Sequence, residues 1–332
     1  MSKTPREHTY RPAWWVPGAH VQTLWGKFAR RPPVLPTRIE RWPTPDHDFI
    51  DVLRLDAGPD SPRLFVLHGL EGTVHSHYVG GLFKMARDRG WGADMLIFRS
   101  CGVELNLAPR FYHSGETSDL ELAVRRILDE FPRAPMVFCG ISLGGNVLLK
   151  WLGEQSDALP KRIRGAAAVS VPFDLERGSR YISRGFSKVY ERHFLRTLRQ
   201  KAFAKLTRFP ALFDLPSMRA ARTLFAFDDA VTAPVHGFRD AHDYYSRSSS
   251  LRYLESVRRP TLLLSARDDP FVPEAVLDDV GEIVERNPFL TAEFHRHGGH
   301  VGFVGGTPWR PRYYVEQRVG AFLQHVLRDE AG

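Results

Sequence analysis

The sequence predicts an α/β fold in which a mostly parallel central sheet is flanked by helices and interrupted by an inserted helical cap. Three observations carry this reading. Short apolar runs bounded by Gly, Pro or charge alternate with helix-length segments along most of the chain. One long stretch, 175–250, is basic and helix-patterned and breaks that alternation between two strand candidates. A serine lies in Gly140-Ile141-Ser142-Leu143-Gly144, between a strand-like and a helix-like segment, where a sharp strand-to-helix turn belongs.

The elements follow in order. Residues 1–45, rich in Trp and Pro, have no core of their own and read as an arm that either packs on the body or pairs two subunits. The first part of the body, 46–174, holds strands at 49–55, 63–67, 93–98, 135–141 and 166–171. Helices fit at 79–89, 118–131 and 143–153, and Ser118 and Glu121 stand at capping-box spacing at the start of the second. The cap, 175–250, comes next. The body resumes over 251–332 with strands at 261–266 and 290–294 and helices at 273–286 and 313–327.

At 332 residues, with 43% hydrophobic and 25% charged residues, the chain fits one large domain with an insertion, and collagen-like or wholly disordered readings fail. Two cysteines, Cys101 and Cys139, are too few for a disulfide framework or a thiolate zinc site, which fits a reducing compartment. The start of the chain is polar, and no window approaches the ~18 apolar residues of a spanning helix. The expectation is a soluble, unprocessed, cytoplasmic protein.

The net charge of +8 is concentrated. Between Glu176 and Phe225, twelve Lys or Arg face three carboxylates (Glu176, Glu191, Asp214), a local +9. Arg177, Arg180, Arg184, Lys188, Arg192, Arg196 and Arg199 recur every three or four residues, which on a helix makes one basic stripe. Ile182, Phe186, Val189, Phe194 and Leu198 supply apolar surface on other faces, and Gly185 weakens an unbroken helix. The stripe is either a solvated face or a dock for anionic headgroups or acidic esters, with the apolar face lining an acyl tunnel. Nucleic acid is not expected, since no recognised motif or aromatic ladder accompanies the charge.

The chemistry gathers around Ser142. A serine hydroxyl needs a base to take its proton, and the base needs an acid to hold its tautomer. Downstream, Asp268 and Asp269 lie in a loop after the strand at 261–266, with Asp269 favoured by its spacing to Val272-Pro273. His300 follows two glycines after the last body strand, with His295 and His297 as alternatives. The backbone N–H groups of Leu143 and Leu70, the latter in His68-Gly69-Leu70-Glu71-Gly72, suit an oxyanion hole. The plainer reading of Ser142 is a helix N-cap. His75-Ser76-His77 and His295-Arg296-His297 lack a carboxylate at a familiar metal spacing, and no G-x-G-x-x-G follows the early strand. No metal or cofactor is therefore expected.

Together these elements resemble the α/β-hydrolase superfamily, and within it the YheT-like branch, which includes plant embryogenesis-associated proteins and animal lipase relatives. The resemblance spans nearly the whole chain. It rests on Trp14-Trp15 and His20-Val21-Gln22-Thr23, the His68–Gly72 segment with Ser76-His77-Tyr78, and Arg99-Ser100-Cys101-Gly102. Tyr112-His113-Ser114-Gly115, Asp119, Asp268-Asp269-Pro270 and Gly298-Gly299-His300-Val301-Gly302-Phe303 complete it. Ser100 departs from the pattern, which has glycine after the arginine. The resemblance implies a Ser142, Asp269, His300 charge-relay system that hydrolyses acyl or lipid esters through an acyl-serine. A thioesterase or acyltransferase would use the same residues, and a non-catalytic binding protein is the reading from another class.

Overall fold

The structure, a computed structural model, describes residues 9–329; the first eight residues of the arm and the last three of the chain lie outside the described residues. Eight strands form the central sheet: β1 (Thr37–Pro43), β2 (Phe49–Leu55), β3 (Arg63–Leu67), β4 (Gly92–Ile97), β5 (Met136–Ile141), β6 (Ile163–Val169), β7 (Thr261–Ala266) and β8 (Leu290–His295). Their order is β1-β2-β4-β3-β5-β6-β7-β8. β2 pairs antiparallel with both β1 and β4, and every other neighbouring pair is parallel. Helices α1 (Gly18–Ala29), α2 (Val79–Arg87), α3 (Ser118–Glu130) and α4 (Leu143–Gln155) precede the inserted helices.

The parallel strands are covered on both faces, so their sequences are apolar runs instead of alternating patterns. Leu64, Phe65, Val66 and Leu67 of β3 have no exposed surface. β1 escapes the sequence reading because it is a charged edge strand, Thr-Arg-Ile-Glu-Arg-Trp-Pro, with only Trp42 fully buried. Ser118 and Glu121 do not form the expected capping box: Thr117 precedes the helix, Ser118 N–H donates to Glu116 Oε1 (2.9 Å), and Glu121 accepts from Trp151 Nε1 (2.7 Å).

Between β6 and β7 lie α5 (Leu175–Ile182), α6 (Lys188–Arg208), α7 (Leu215–Ala220), α8 (Leu224–Phe227), α9 (Ala233–Val235) and α10 (Ala241–Ser248). This segment packs its own small core from Leu195, Ala202, Leu206, Phe213 and Met218. The basic residues do not form one stripe. The chain breaks between α5 and α6, where Gly185 takes φ +50°. Arg177 and Arg180 turn to Asp174, Asp279 and Glu176, and Phe186 and Val189 face outward at 54% and 50% exposure.

The chain closes with α11 (Glu274–Arg286), a hairpin of β9 (Val304–Thr307) and β10 (Arg310–Tyr313), and α12 (Tyr314–Asp329). The arm docks on this hairpin. Ala13 N–H donates to Val304 O (2.9 Å), and buried Gln22 both donates to Val304 O (3.1 Å) and accepts from Val304 N–H (2.8 Å). That bidentate contact fixes α1 against the start of β9, where the loop that follows β8 ends.

Candidate active site

Ser142 leaves the end of β5 with φ +54° and ψ −122°, a conformation a non-glycine residue holds only when its surroundings enforce it. The enforcement is visible. A Cβ on Gly140 would lie 2.6 Å from Gly144 O, and one on Gly144 would lie 2.4 Å from Leu67 O, so only glycine fits on either side. Ser142 N–H donates to Val169 O (2.8 Å) and its carbonyl accepts from Gly145 and Asn146 N–H as α4 begins. Its side chain makes no capping hydrogen bond, so the hydroxyl is free for another partner.

That partner is His300, whose Nε2 lies 2.9 Å from Ser142 Oγ. On the other side of the ring, Nδ1 lies 2.8 Å from Oδ2 and 3.1 Å from Oδ1 of Asp269. Asp269 is 1% exposed and follows β7, and Phe271 N–H donates to its Oδ1 (2.8 Å). Strands β5, β7 and β8 thus deliver three side chains from distant parts of the chain to one edge of the sheet. The alternatives lie elsewhere. His297 is exposed and faces Asp268 (3.3 Å), Asp268 accepts Gly299 N–H (2.9 Å), and His295 packs against the rings of Tyr10 and Tyr314.

The His300 loop is held from outside. His300 N–H donates to Thr23 Oγ1 (2.9 Å), and Thr23 donates to Ala19 O within α1 (2.7 Å). Val301 N–H donates to Ser170 Oγ (3.0 Å). Gly299 takes φ +59°, and a Cβ there would lie 2.4 Å from Ala19 O. Gly299→Ala should therefore displace the imidazole: we expect kcat for any substrate turned over at Ser142 to fall at least about tenfold with KM little changed, measured by steady-state kinetics. The Thr23 anchor has no signal of its own in the sequence, although it lies within His20-Val21-Gln22-Thr23.

Leu70 lies in the loop after β3. Its neighbours are pinned: Gly69 N–H donates to Tyr78 Oη (2.9 Å) and Glu71 N–H to Tyr112 Oη (2.8 Å). Neither Leu70 nor Leu143 N–H donates to a protein group among the described residues, and both residues line the cavity that contains Ser142 and His300. His68 is buried, with its pKa pushed down to about 4 by desolvation. Neutral, it donates from Nδ1 to Gly69 O (2.8 Å) and accepts Phe98 N–H at Nε2 (3.1 Å), which stiffens the same loop. Glu71, at φ +55°, accepts from Tyr112 Oη (2.8 Å) and pairs with Lys201 of α6 (2.7 Å), joining the loop to the inserted helices. Sequence reasoning misses this pair because nothing local links the two positions.

Ser100 adopts φ +65°, a left-handed conformation that glycine takes without strain, and its buried hydroxyl has no partner among the described residues. Arg99 beside it is buried among Asp46, Asp48 and Asp119, which holds the segment in place.

The cavity has a volume of about 460 Å³, within the range of small-molecule sites. Thr23 and Leu24 of α1 line it together with Ile182, Phe194 and Leu198 of the inserted helices. Phe271 lies against the His300 ring at 4.2 Å and touches Tyr190 of α6 edge-on. Among the described residues no group of three or more His, Cys, Asp or Glu is placed to hold a metal, and no helix is long and apolar enough to cross a membrane.

The family described as alpha/beta hydrolase fold matches residues 62–307. YheT of Escherichia coli K12 is 38% identical over 317 residues, covering 94% of this chain and 92% of that protein. Phospholipase ABHD3 of Mus musculus is 29% identical over 328 residues, covering 96% of this chain and 79% of that protein. Among solved structures, the Pyrococcus furiosus esterase Pf2001 aligns with a TM-score of 0.58 at 18% identity, over 90% of this chain and 99% of that one. With its sheet order, the turn at Ser142 and these similarities, the chain belongs to the α/β-hydrolase superfamily, in its YheT-like branch.

Proposed function

We propose that the protein is a cytoplasmic serine hydrolase that cleaves carboxylic esters of acyl or lipid type through an acyl-serine intermediate. The observation that carries this reading is the continuous hydrogen-bonded chain Ser142–His300–Asp269 opening into one cavity. His300 Nε2 takes the Ser142 proton as Oγ attacks the acyl carbonyl, and Asp269 stabilises the imidazolium. Leu70 and Leu143 N–H groups receive the negative charge that develops on the carbonyl oxygen. As the tetrahedral adduct collapses, His300 gives its proton to the departing alcohol. It then deprotonates a water that attacks the acyl-serine, and as the bond from the acyl carbon to Oγ breaks it returns that proton to Oγ, which releases the acid and free Ser142.

The reading is supported by relatives named as phospholipase and monoacylglycerol lipase. Its test is fluorophosphonate labelling of the purified protein, followed by hydrolysis of an acyl-ester series and the matching thioesters. We expect stoichiometric labelling and ester turnover; an unlabelled protein without ester turnover refutes the assignment.

A lipid-facing surface belongs to the same proposal. Helices α1 and α6 meet beside the cavity, with His20 Nδ1 3.1 Å from Tyr190 Oη and Lys27 Nζ 3.3 Å from His193 Nε2. They expose Val21, Phe28 and Val189, with Phe186 just before α6. Arg184, Lys188, Arg192 and Arg196 are exposed there, without a carboxylate partner among the described residues. Apolar tips among unpaired cations suit an anionic lipid surface, where each cation contributes roughly 1 kcal/mol. Reversing Arg184, Lys188 and Arg192 to Glu is expected to lower the ratio of vesicle to dissolved-ester turnover at least about tenfold on phosphatidylserine vesicles at low salt. Equal turnover on neutral and anionic vesicles at all salt concentrations removes the docking surface.

A further inference from the structure

The cavity that holds Ser142 also carries a carboxylate that ester hydrolysis leaves unused. Asp228 opens a π-helical turn, Asp228–Thr232, between α8 and α9. Such turns are frequent at functional sites. Thr232 Oγ1 donates to Asp228 Oδ1 (2.6 Å) and Tyr245 Oη donates to Oδ2 (2.6 Å). The side chain is half-buried and forms part of the cavity wall. No Lys, Arg or His pairs with it among the described residues.

This arrangement is incomplete on its own terms. A carboxylate offers about four acceptor positions, and protein groups fill one on each oxygen. Burial pushes its pKa up to about 6, and no cation among the described residues stands beside it as a counter-charge. Leu224, Phe227 and Tyr244 also line the cavity, so an all-hydrocarbon occupant would displace water from Asp228 and leave the charge unsatisfied. A ligand group that donates hydrogen bonds would complete it.

We propose that Asp228 is a substrate-binding residue that receives a hydrogen-bond donor, a hydroxyl or primary ammonium group, carried by the substrate away from the scissile ester. The proposal deepens the hydrolase reading and rests on it for the identity of the reacting end. It makes the preferred substrate an ester with a polar, donor-bearing terminus, and makes Asp228 a determinant of specificity with no part in the bond-breaking steps. Tyr245 and Thr232 hold the carboxylate in place.

The test has two parts. In the first, p-nitrophenyl esters of straight-chain acids of increasing length, and alkyl esters of increasing length, are compared with and without a terminal hydroxyl or ammonium group. Rates are normalised to fluorophosphonate-labelled sites. The wild type is expected to favour the donor-bearing member of a pair in kcat/KM by about tenfold at the length that reaches Asp228, the preference residing in KM. Asp228→Asn is expected to cut that preference at least about threefold, because the amide carries no charge and keeps one accepting oxygen in place of two. An Asp228→Asn variant that slows donor-bearing and donor-free esters alike, with the preference unchanged, would mean that packing, not the carboxylate, is at work and would overturn the proposal. The hydroxyl and ammonium arms tell a neutral donor from a cation.

In the second part, long-chain diols and amino alcohols are compared with simple alcohols as ligands that raise the melting temperature, a readout that needs no turnover. Donor-bearing ligands are expected to stabilise the wild type more than simple alcohols, and Asp228→Asn is expected to reduce the difference. Ester hydrolysis without donor preference and without Asp228-dependent stabilisation overturns the subsite and keeps the hydrolase. Stabilisation by diols with no hydrolysis of any ester removes the hydrolase and keeps the subsite.

Discussion

Ser142→Ala and His300→Ala are each expected to lower kcat for ester cleavage on the order of 10⁴ to 10⁶-fold and to abolish fluorophosphonate labelling. The double variant should be no worse than either single one, because nucleophile and base act in one step. The expectation starts from the 2.9 Å contact between His300 Nε2 and Ser142 Oγ. Without the imidazole the hydroxyl keeps its proton at neutral pH, and without the hydroxyl the imidazole has only water to activate. Both substitutions remove atoms from a cavity wall, so the fold should persist, which a melting curve verifies. A residual rate above water is still expected, because the Leu70 and Leu143 amides are backbone groups that neither substitution removes. Labelling that survives in Ser142→Ala would move the nucleophile to another residue.

How much of this is legible in the sequence depends on how local each signal is. The strands β3 to β7 declare themselves because a strand buried on both faces must be apolar throughout. Gly140, Ser142 and Gly144 are legible because the turn excludes any side chain at the flanking positions. His300 and Asp269 are legible from their place after strands, which the chain order of the fold fixes. The edge strand β1 and helix α1 are not, since a charged edge and a helix with two glycines carry weak periodicity and are held by contacts such as Gln22 with Val304. Asp228 is invisible for the same reason: its meaning comes from Tyr245, Thr232 and a cavity assembled from remote segments. The basic residues read as one helical stripe because their spacing continues across Gly185, where the backbone does not. Asp268 and Asp269 are nearly equivalent as sequence and are not equivalent as geometry.

That last pair supports a sharp prediction. Asp269→Asn is expected to lower kcat about 10³ to 10⁴-fold, and Asp268→Asn less than about tenfold, at neutral pH. In Asp269 the Oδ1 atom accepts Phe271 N–H at 2.8 Å while Oδ2 is the oxygen nearer to His300 Nδ1, at 2.8 Å. An asparagine in this place must keep its single oxygen at the Phe271 N–H, because turning the amide over would set two donors against each other in a buried site. Its –NH₂ then points at Nδ1 and donates to it, which forces the ring proton onto Nε2. Imidazole in that tautomer presents N–H to Ser142 Oγ and cannot accept the hydroxyl proton, so the base is lost although every heavy atom stays in place. Asp268 braces the loop instead, with Oδ1 accepting Gly299 N–H (2.9 Å) and Oδ2 facing the exposed His297. An asparagine there still offers Oδ1 to Gly299, so the loop that carries His300 keeps its hold. Equal losses in the two variants, or a larger loss in Asp268→Asn, would transfer the orienting role to Asp268 or share it between the two carboxylates. Steady-state kinetics with a soluble ester, alongside melting curves for both variants, decides between these outcomes.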